Sequence, residues 1–191
     1  LTKAYDQAQA EFDTAIRLNP QLFDAHYFYA RALFQQGKYA EAVREYQEAT
    51  RIRPEDYQAL MLVQTSLRQL GRTADAEASL RKGLEVAGKH LELNPDDARA
   101  LYLGAGASMI LGERARALDW ASRALALDSE DSGVLYNVAC VYALGGKTEE
   151  ALGLLEKAVQ NGFGHREWLE NDTDFDSLRN QPRFKALLQR L

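Results

Sequence analysis

The stretch "FDAHYFYARALFQQGKYAEAVREYQEATRIRP", residues 23–54, decides the fold. Apolar residues recur at helical spacing on both sides of Gly37, and Pro54 closes the second run. Glycine readily takes the left-handed backbone conformation that ends many helices, so Gly37 marks a turn. The stretch therefore predicts a hairpin of two helices, one over 23–37 and one over 38–54.

The same pattern returns along the chain with a period of 34 residues, broken once by an interval of 41. The markers are small residues inside the helices, glycines at the turns and prolines in the loops. They stand at Ala8, Ala42, Ala76, Ala117 and Ala151; at Ala15, Ala49, Gly83, Ala124 and Ala158; at Gly37, Gly71, Gly112 and Gly146; and at Pro20, Pro54 and Pro95. A period kept by several independent markers predicts an array of stacked helix hairpins.

This unit resembles the tetratricopeptide repeat, a 34-residue helix–turn–helix with small residues at its eighth, twentieth and twenty-seventh places and proline at its thirty-second. The residues that carry the resemblance in the second unit are Tyr29, Ala30, Leu33, Tyr39, Ala42, Tyr46, Ala49 and Pro54. The resemblance covers residues 1 to about 165 and implies an all-α fold, a right-handed solenoid of antiparallel helix pairs.

Two positions depart from the pattern of the family. His26 stands where the fourth place usually holds tryptophan, and Gln64 replaces the small residue of the eighth place in the third unit. Because a small residue there lets two helices approach closely, we expect looser or shifted packing around Gln64.

Seven extra residues fall between Gly83 and Pro95, in "KGLEVAGKHLELNPDD", residues 82–97. Seven residues are close to two helical turns, so the apolar face returns almost in register. The interval predicts one helix from about Thr73 to Leu93, extended by about two turns, or about 10 Å. The alternative is that Gly88 ends the helix and a separate turn follows. We expect the insertion to divide the array into halves, 1–93 and 94–191.

The predicted organisation is a single array with different ends. It comprises a half repeat over 1–22, repeats over 23–56, 98–131 and 132–165, an extended repeat over 57–97, and a capping segment over 166–191. The half repeat lacks its first helix and Leu1 is not an initiator methionine, so we expect a longer parent protein. Leu1–Leu18 would otherwise cap the array or contact another chain.

The segment after residue 165 resembles the end-of-group form of the tetratricopeptide repeat found in bacterial proteins. The resemblance rests on "YNVACVYAL", "NGF", "REWLENDTDFDSLR" and "PRF". Terminal repeats need a cover for their open face. The expected cover is two short helical pieces around Pro182 that carry Trp168, Leu169, Phe175, Leu178, Phe184, Leu187 and Leu188. This form implies a place in a larger signalling or regulatory protein.

Composition excludes several classes of function. The net charge of −5 argues against a nucleic-acid or anionic-membrane surface, because such surfaces need a basic face. One cysteine among 191 residues rules out an internal disulfide and a thiolate zinc cluster, and fits a reducing compartment such as the cytoplasm. No apolar run reaches the length of a membrane-spanning helix.

No set of residues supports catalysis or a cofactor. The spacing of Asp172, Asp174 and Asp176 begins like a calcium loop, but Ser177 and Arg183 stand where that loop needs glycine and glutamate. Helix caps and a solvated turn are therefore expected there. The three histidines are far apart in the sequence, and we expect Cys140 to be an inert small residue. We predict a protein that is not an enzyme and holds neither metal nor cofactor.

The resemblance implies that the first helix of each pair lines a concave groove, through its second, fifth, ninth and twelfth places. The predicted partner-binding residues are Tyr27, Arg31, Phe34, Met61, Thr65, Arg68, Arg99, Tyr102, Met109, Tyr136, Asn137 and Cys140. Tyrosine, methionine and arginine are enriched in protein interfaces. The expected partner is a protein or peptide with acidic and apolar residues. Heat-shock chaperone tails are not expected, because the lysine and asparagine clamp of the family is missing.

Two alternatives to a ligand groove remain. In the first, the tyrosines pack between neighbouring units and the array binds no linear ligand. In the second, the array self-associates as a dimer that regulates a fused N-terminal domain.

Overall fold

The computed structural model describes residues 2–191, and the side chains of residues 7–191. The prediction that concerns Leu1, a parent protein that continues before it, lies outside these residues. The described chain is all-helical and contains no strand, as predicted. The helices are α1 (Thr2–Leu18), α2 (Phe23–Gln35), α3 (Tyr39–Ile52), α4 (Tyr57–Gln69), α5 (Thr73–Leu93), α6 (Ala98–Ile110), α7 (Arg114–Leu127), α8 (Ser132–Leu144), α9 (Thr148–Gln160), α10 (Arg166–Asn171) and α11 (Pro182–Gln189), with a 3₁₀ turn at Thr173–Phe175. None of these helices is long and apolar enough to cross a membrane.

Helix hairpins form because each turn has a glycine with positive φ. Gly37, at φ 72°, follows α2, and the amide of Lys38 donates back to the carbonyl of Leu33 over 3.0 Å. The same arrangement recurs at Gly71, Gly112 and Gly146. A side chain with a Cβ is strained at these angles, so glycine there confirms the predicted turns.

Aspartates begin three of the first helices of the hairpins. The carboxylate of Asp56 accepts from the amides of Gln58 and Ala59 at the start of α4. Asp97 caps α6 and Asp131 caps α8 in the same manner. Each cap satisfies amides that have no partner within the helix, which fixes where the helix begins.

The hairpins close on small residues. In the first of them, Ala30 of α2 and Ala42 and Ala49 of α3 have no exposed surface. Their equivalents Ala105, Ala117, Ala124, Ala139, Ala151 and Ala158 are also fully buried. Because alanine ends at Cβ, two helix backbones approach closely there and larger side chains fill the space around the contact.

The seven extra residues lengthen one helix. α5 runs unbroken over 21 residues from Thr73 to Leu93, against 14 residues for both α3 and α7. Gly88 lies inside it without a positive φ. The prediction of a continuous helix is confirmed, and the alternative of a cap at Gly88 is wrong.

The chain divides into two compact units inside this helix. The first unit ends at Ala87, and the second begins at Gly88 and runs to Leu191. The predicted boundary stood after residue 93, at the end of the helix, so the division lies six residues earlier and α5 belongs to both units.

The first unit contains Gln64, a long polar side chain at a place where the repeat usually has a small residue. The side-chain oxygen of Gln64 is buried without a hydrogen-bond partner among the described residues. α4 and α5 are nevertheless in contact. The hydroxyl of Ser79 on α5 donates to the carbonyl of Leu60 on α4 over 2.7 Å. A half-open cleft of about 270 Å³ lies between the side chains of α3, α4 and the first turns of α5.

The C-terminal segment of the second unit packs against α8 and α9. Leu169, Phe175 and Leu178 are fully buried, and Phe184 and Leu187 are nearly so, in one core with residues of α8 and α9. Pro182 begins α11, where its missing amide costs no hydrogen bond. Arg183 of α11 binds Glu156 and Glu149 of α9. Trp168 differs from the others, since 38% of it is exposed.

Gly104 of α6 provides a test of the close packing in the second unit. A Cβ on Gly104 would overlap the ring of Trp120, whereas a Cβ on Gly106 of the same helix meets nothing within 4 Å. We expect Gly104→Ala to lower the free energy of unfolding by about 1–3 kcal/mol, as overpacking does. Gly106→Ala should raise it by up to about 1 kcal/mol through helix propensity. Urea unfolding followed by circular dichroism measures both, and equal effects of the two variants would contradict the packing.

Candidate functional site

Charge is unevenly distributed between the two kinds of helix. The first helices of the hairpins are α2, α4, α6 and α8. Of the 28 acidic residues of the chain, these helices contain only Asp24, yet they carry three arginines, Arg31, Arg68 and Arg99. The four first helices together therefore have a net charge of +2, in a chain with a net charge of −5.

In the first unit, Tyr27 holds α2 and α4 together. It is 4% exposed, and its hydroxyl donates to the side-chain oxygen of Gln58 over 3.3 Å. Its ring stacks on Phe23 and meets Tyr46 of α3 edge-on. Tyr27 therefore packs between neighbouring helices, as the alternative to the groove expected, and offers a partner little surface.

Arg31 lies beside the aromatic rings of Tyr27 and Phe28. Its guanidinium carbon is 5.8 Å from the centre of the Tyr27 ring and 5.9 Å from that of Phe28. Among the residues whose side chains are described, Arg31 makes no ion pair. Cation–π contact uses the flat faces of the aromatic rings and leaves N–H groups of the arginine for an acceptor.

Phe28 is a surface residue that is not among the predicted partner-binding residues. It is 47% exposed, and its ring meets Tyr27 edge-on at 5.1 Å. The groove positions implied by the resemblance include the fifth and ninth places of each repeat, whereas Phe28 stands at the sixth. The signal available in the sequence was the run of three aromatics Tyr27, Phe28 and Tyr29, since three consecutive residues span about 200° of a helix, more than the width of a typical buried stripe.

The remaining predicted residues of the first unit differ in exposure. Phe34 is half-buried, and the centre of its ring lies 5.6 Å from that of Tyr39. Met61 is 3% exposed. Thr65 is half-buried and donates to the carbonyl of Leu62, while Arg68 is exposed and makes no ion pair within the described part of the chain.

In the second unit, four predicted residues are within reach of solvent. Arg99, Tyr102 and Met109 of α6 and Asn137 of α8 are all half-buried. The amide of Asn137 donates to the carbonyl of Gly133 over 2.8 Å, which fixes the orientation of its side chain. α6 and α8 are in contact, so these residues lie on adjacent helices.

The cap covers the other two predicted residues of α8. Tyr136 is 4% exposed, stacks on Phe163 at 4.5 Å and donates its hydroxyl to Asp172 over 2.5 Å. The thiol of Cys140 lies 3.7 Å from the same carboxylate oxygen. The structure therefore buries Tyr136 and Cys140 under the C-terminal segment.

The electrostatics of this covered region favour neutral groups. Burial raises the pKa of Tyr136 far above its usual value, and Cys140 and Asp172 add to the rise. Burial, followed by the charge of Asp172, also raises the pKa of the Cys140 thiol well above its usual value. The thiol is thus protonated at neutral pH and is a poor nucleophile.

The acidic turn is built from caps. Asp172 accepts from the amide of Asp174 with one oxygen and from Tyr136 with the other. Asp176 binds Arg179 over 2.7 Å. The thiol of Cys140 and the carboxylates of Asp172 and Asp174 lie close together, but the contacts of Asp172 already give it a structural role. This arrangement agrees with the expected helix caps and solvated turn.

The histidines also have separate, local partners. His26 is buried, with Nδ1 2.7 Å from Glu45 and Nε2 3.1 Å from the carbonyl of Pro20. His90 contacts the cap residue Asp97 over 2.7 Å, and His165 stacks on Trp168. Each histidine links neighbouring segments of the fold.

Comparison with known proteins identifies the repeat. A family model described as the tetratricopeptide repeat matches residues 4–57 and 65–132, which is more than half of the chain. No curated protein matches the chain.

Two solved structures of repeat proteins resemble the chain in fold. TTC0263, a thermophilic tetratricopeptide protein of Thermus thermophilus, is 24% identical, with 97% of this chain and 91% of that chain covered and a TM-score of 0.65. PilW, a type IV pilus biogenesis factor, is 19% identical, with 99% and 86% covered and a TM-score of 0.61. These likenesses confirm the predicted fold class, an array of tetratricopeptide helix pairs.

The bond between Tyr136 and Asp172 should stabilise the cap. Tyr136→Phe keeps the ring stacking and removes the donor, so we expect the free energy of unfolding to fall by about 1–3 kcal/mol. Tyr142→Phe, at a half-buried tyrosine of the same helix, is the matched control and should change it by less than about 0.5 kcal/mol. Urea unfolding at neutral pH measures both variants.

The raised pKa of Tyr136 also predicts a loss of stability in alkali. The unfolded tyrosine ionises near pH 10, whereas the folded one keeps its proton above that pH. The unfolded state therefore binds fewer protons there, and stability falls as the pH rises through 10. The fall should be smaller in Tyr136→Phe than in the wild type, and the same fall in both would contradict this assignment.

Proposed function

Since the chain belongs to the tetratricopeptide repeat family, we propose that it is a non-catalytic scaffold that binds a protein or peptide on the surface of its first helices. Proteins of this family act as interaction modules, and binding needs no catalytic residue. The resemblance of the cap to the end-of-group form supports a further proposal, that this binding serves a larger bacterial signalling or regulatory protein.

One observation carries the proposal. The first helices carry three arginines against one acid in an acidic chain, and Arg31 and Arg68 on them make no ion pair within the described residues. An arginine without a counter-ion on a folded surface is available to a carboxylate, for which its planar N–H groups are well suited. Asp24 is the only acid on these helices, and among the described side chains neither arginine pairs with it.

The partner that suits this surface is an acidic and apolar peptide. In the first unit, the half-buried Phe34 and Thr65 lie on the same two helices as the arginines. In the second unit, Arg99, Tyr102 and Met109 of α6 and Asn137 of the adjacent α8 are half-buried. Large side chains of modest flexibility give contact area at a low entropic cost, which favours binding of apolar side chains next to the charged contacts.

Charge reversal on the first unit tests the proposal. The probes are two pools of fluorescent twelve-residue peptides, one rich in Asp, Glu, Leu and Phe, the other with Lys and Arg in place of the acids. We expect the wild type to prefer the acidic pool in fluorescence polarisation. The double variant Arg31→Glu, Arg68→Glu should lose at least about tenfold in affinity, because each arginine contributes a charge-assisted hydrogen bond.

The matched control makes the same charge change on the second helices. Arg44 of α3 and Arg81 of α5 are exposed, and Arg44→Glu, Arg81→Glu should leave binding of the acidic pool within about twofold of the wild type. Equal losses in both double variants would indicate attraction by net charge alone. No preference for the acidic pool would reject the proposed surface.

Self-association is a second candidate, favoured by two isolated leucines. Leu18 and Leu93, at the ends of α1 and α5, are 75% and 84% exposed. Sedimentation at concentrations from about 1 to 100 µM would detect a dimer as a shift in mass. If these leucines lie in its interface, Leu18→Ser, Leu93→Ser should abolish the shift, and a monomer at every concentration excludes this candidate.

A further inference from the structure

We propose that Phe28 and Arg31 form a two-part recognition site for an extended segment that carries an acidic side chain two residues from an aromatic one. This inference rests on the proposed function, since it names the ligand of the surface formed by α2 and α4. It adds a sequence requirement to the preference for acids and assigns a role to Phe28, which the family positions leave out.

The exposure of Phe28 is unusual for its position in the repeat. The equivalent residues 34, 75 and 109 places later, Leu62, Leu103 and Asn137, are all half-buried. Phe28 alone of the four is aromatic, and 47% of it faces solvent. The fold of α2 does not require an aromatic ring at this place, because Leu62 and Leu103 show that a smaller apolar residue suffices.

The ring of Phe28 is held in place although it is exposed. Tyr27, itself buried and bonded to Gln58, meets the ring edge-on at 5.1 Å. The guanidinium of Arg31 lies 5.9 Å from its centre. An aromatic side chain fixed before binding loses less entropy on contact with a partner, which is typical of residues that dominate interfaces.

Arg31 supplies the second part of the site. Its guanidinium rests near both rings, which leaves N–H groups directed away from them for a carboxylate. Asp24 is the only acid on α2, and it lies seven residues earlier, about 10 Å along the helix axis. The side chain of Arg31 extends back along α2 over Tyr27, and among the described residues it makes no ion pair with Asp24.

The separation of the two parts sets the spacing of the ligand. The guanidinium and the Phe28 ring are 5.9 Å apart. Side chains two residues apart in an extended chain point to the same side and are separated by about 6.6 Å. An acid and an aromatic with one residue between them therefore match Arg31 and Phe28, whereas adjacent residues point to opposite sides.

The experiment selects ligands without assuming their sequence. A phage library of random twelve-residue peptides is panned on the immobilised 191-residue chain, and the recovered peptides are synthesised and measured by calorimetry. We expect enrichment of Asp or Glu two residues from Phe, Tyr or Trp. Arg31→Gln should weaken these peptides at least about tenfold, and Phe28→Ala about fivefold.

Control variants and folding checks accompany these measurements. Arg44→Gln and Leu70→Ala remove an exposed arginine and a 40% exposed leucine elsewhere on the first unit, and should leave affinity within about twofold. Circular dichroism verifies that each variant folds. Phe28→Leu keeps an apolar contact without the ring, and should give an intermediate affinity.

Each result has a distinct meaning. Enriched acids without a spaced aromatic, with binding that depends on Arg31 but not on Phe28, overturn the two-part site and leave the proposed function standing. Peptides whose affinity is unchanged by both variants, or a failure to recover any peptide, reject the two-part site and the proposed function of this surface together.

Discussion

The close contact of two helix backbones at alanine is the constraint on which each hairpin depends. Ala30, Ala42 and Ala49 have no exposed surface, and their equivalents in the hairpins α6–α7 and α8–α9 are buried in the same way. A side chain larger than alanine at such a contact must displace its neighbour, because protein interiors are packed as densely as crystals. Glycines with positive φ join the two helices of each hairpin through a short, sharp connection.

Departures from the constraint are accommodated locally. At Gln64, a long polar side chain replaces the small one, and its oxygen is buried without a partner among the described residues. Ser79 nevertheless keeps α5 against α4 through a bond to a backbone carbonyl. The insertion of seven residues is tolerated for a different reason, since it adds nearly two whole turns and so keeps the apolar side of α5 on the same face.

The packing that builds the array also limits its binding surface. Tyr27 and Tyr136 occupy equivalent places in their hairpins. Each hydroxyl donates to the segment that follows its hairpin, Tyr27 to Gln58 of α4 and Tyr136 to Asp172 of the cap. The cap thus provides for α8 the polar partner that the next hairpin provides for α2. Residues one place further along or one turn away, such as Phe28 and Arg31, remain for a partner.

The sequence alone determined the helices, their turns, the long α5 and the family, because these depend on spacing along the chain, which a period of 34 makes visible. It also identified the arginines of the first helices, since a charge is apparent without coordinates. Only the tertiary structure decided that Tyr27, Met61, Tyr136 and Cys140 are buried and that Phe28 is exposed. The exposure of a side chain depends on which neighbouring element packs over it. A repeat pattern indicates the direction of a side chain but not whether another element buries it.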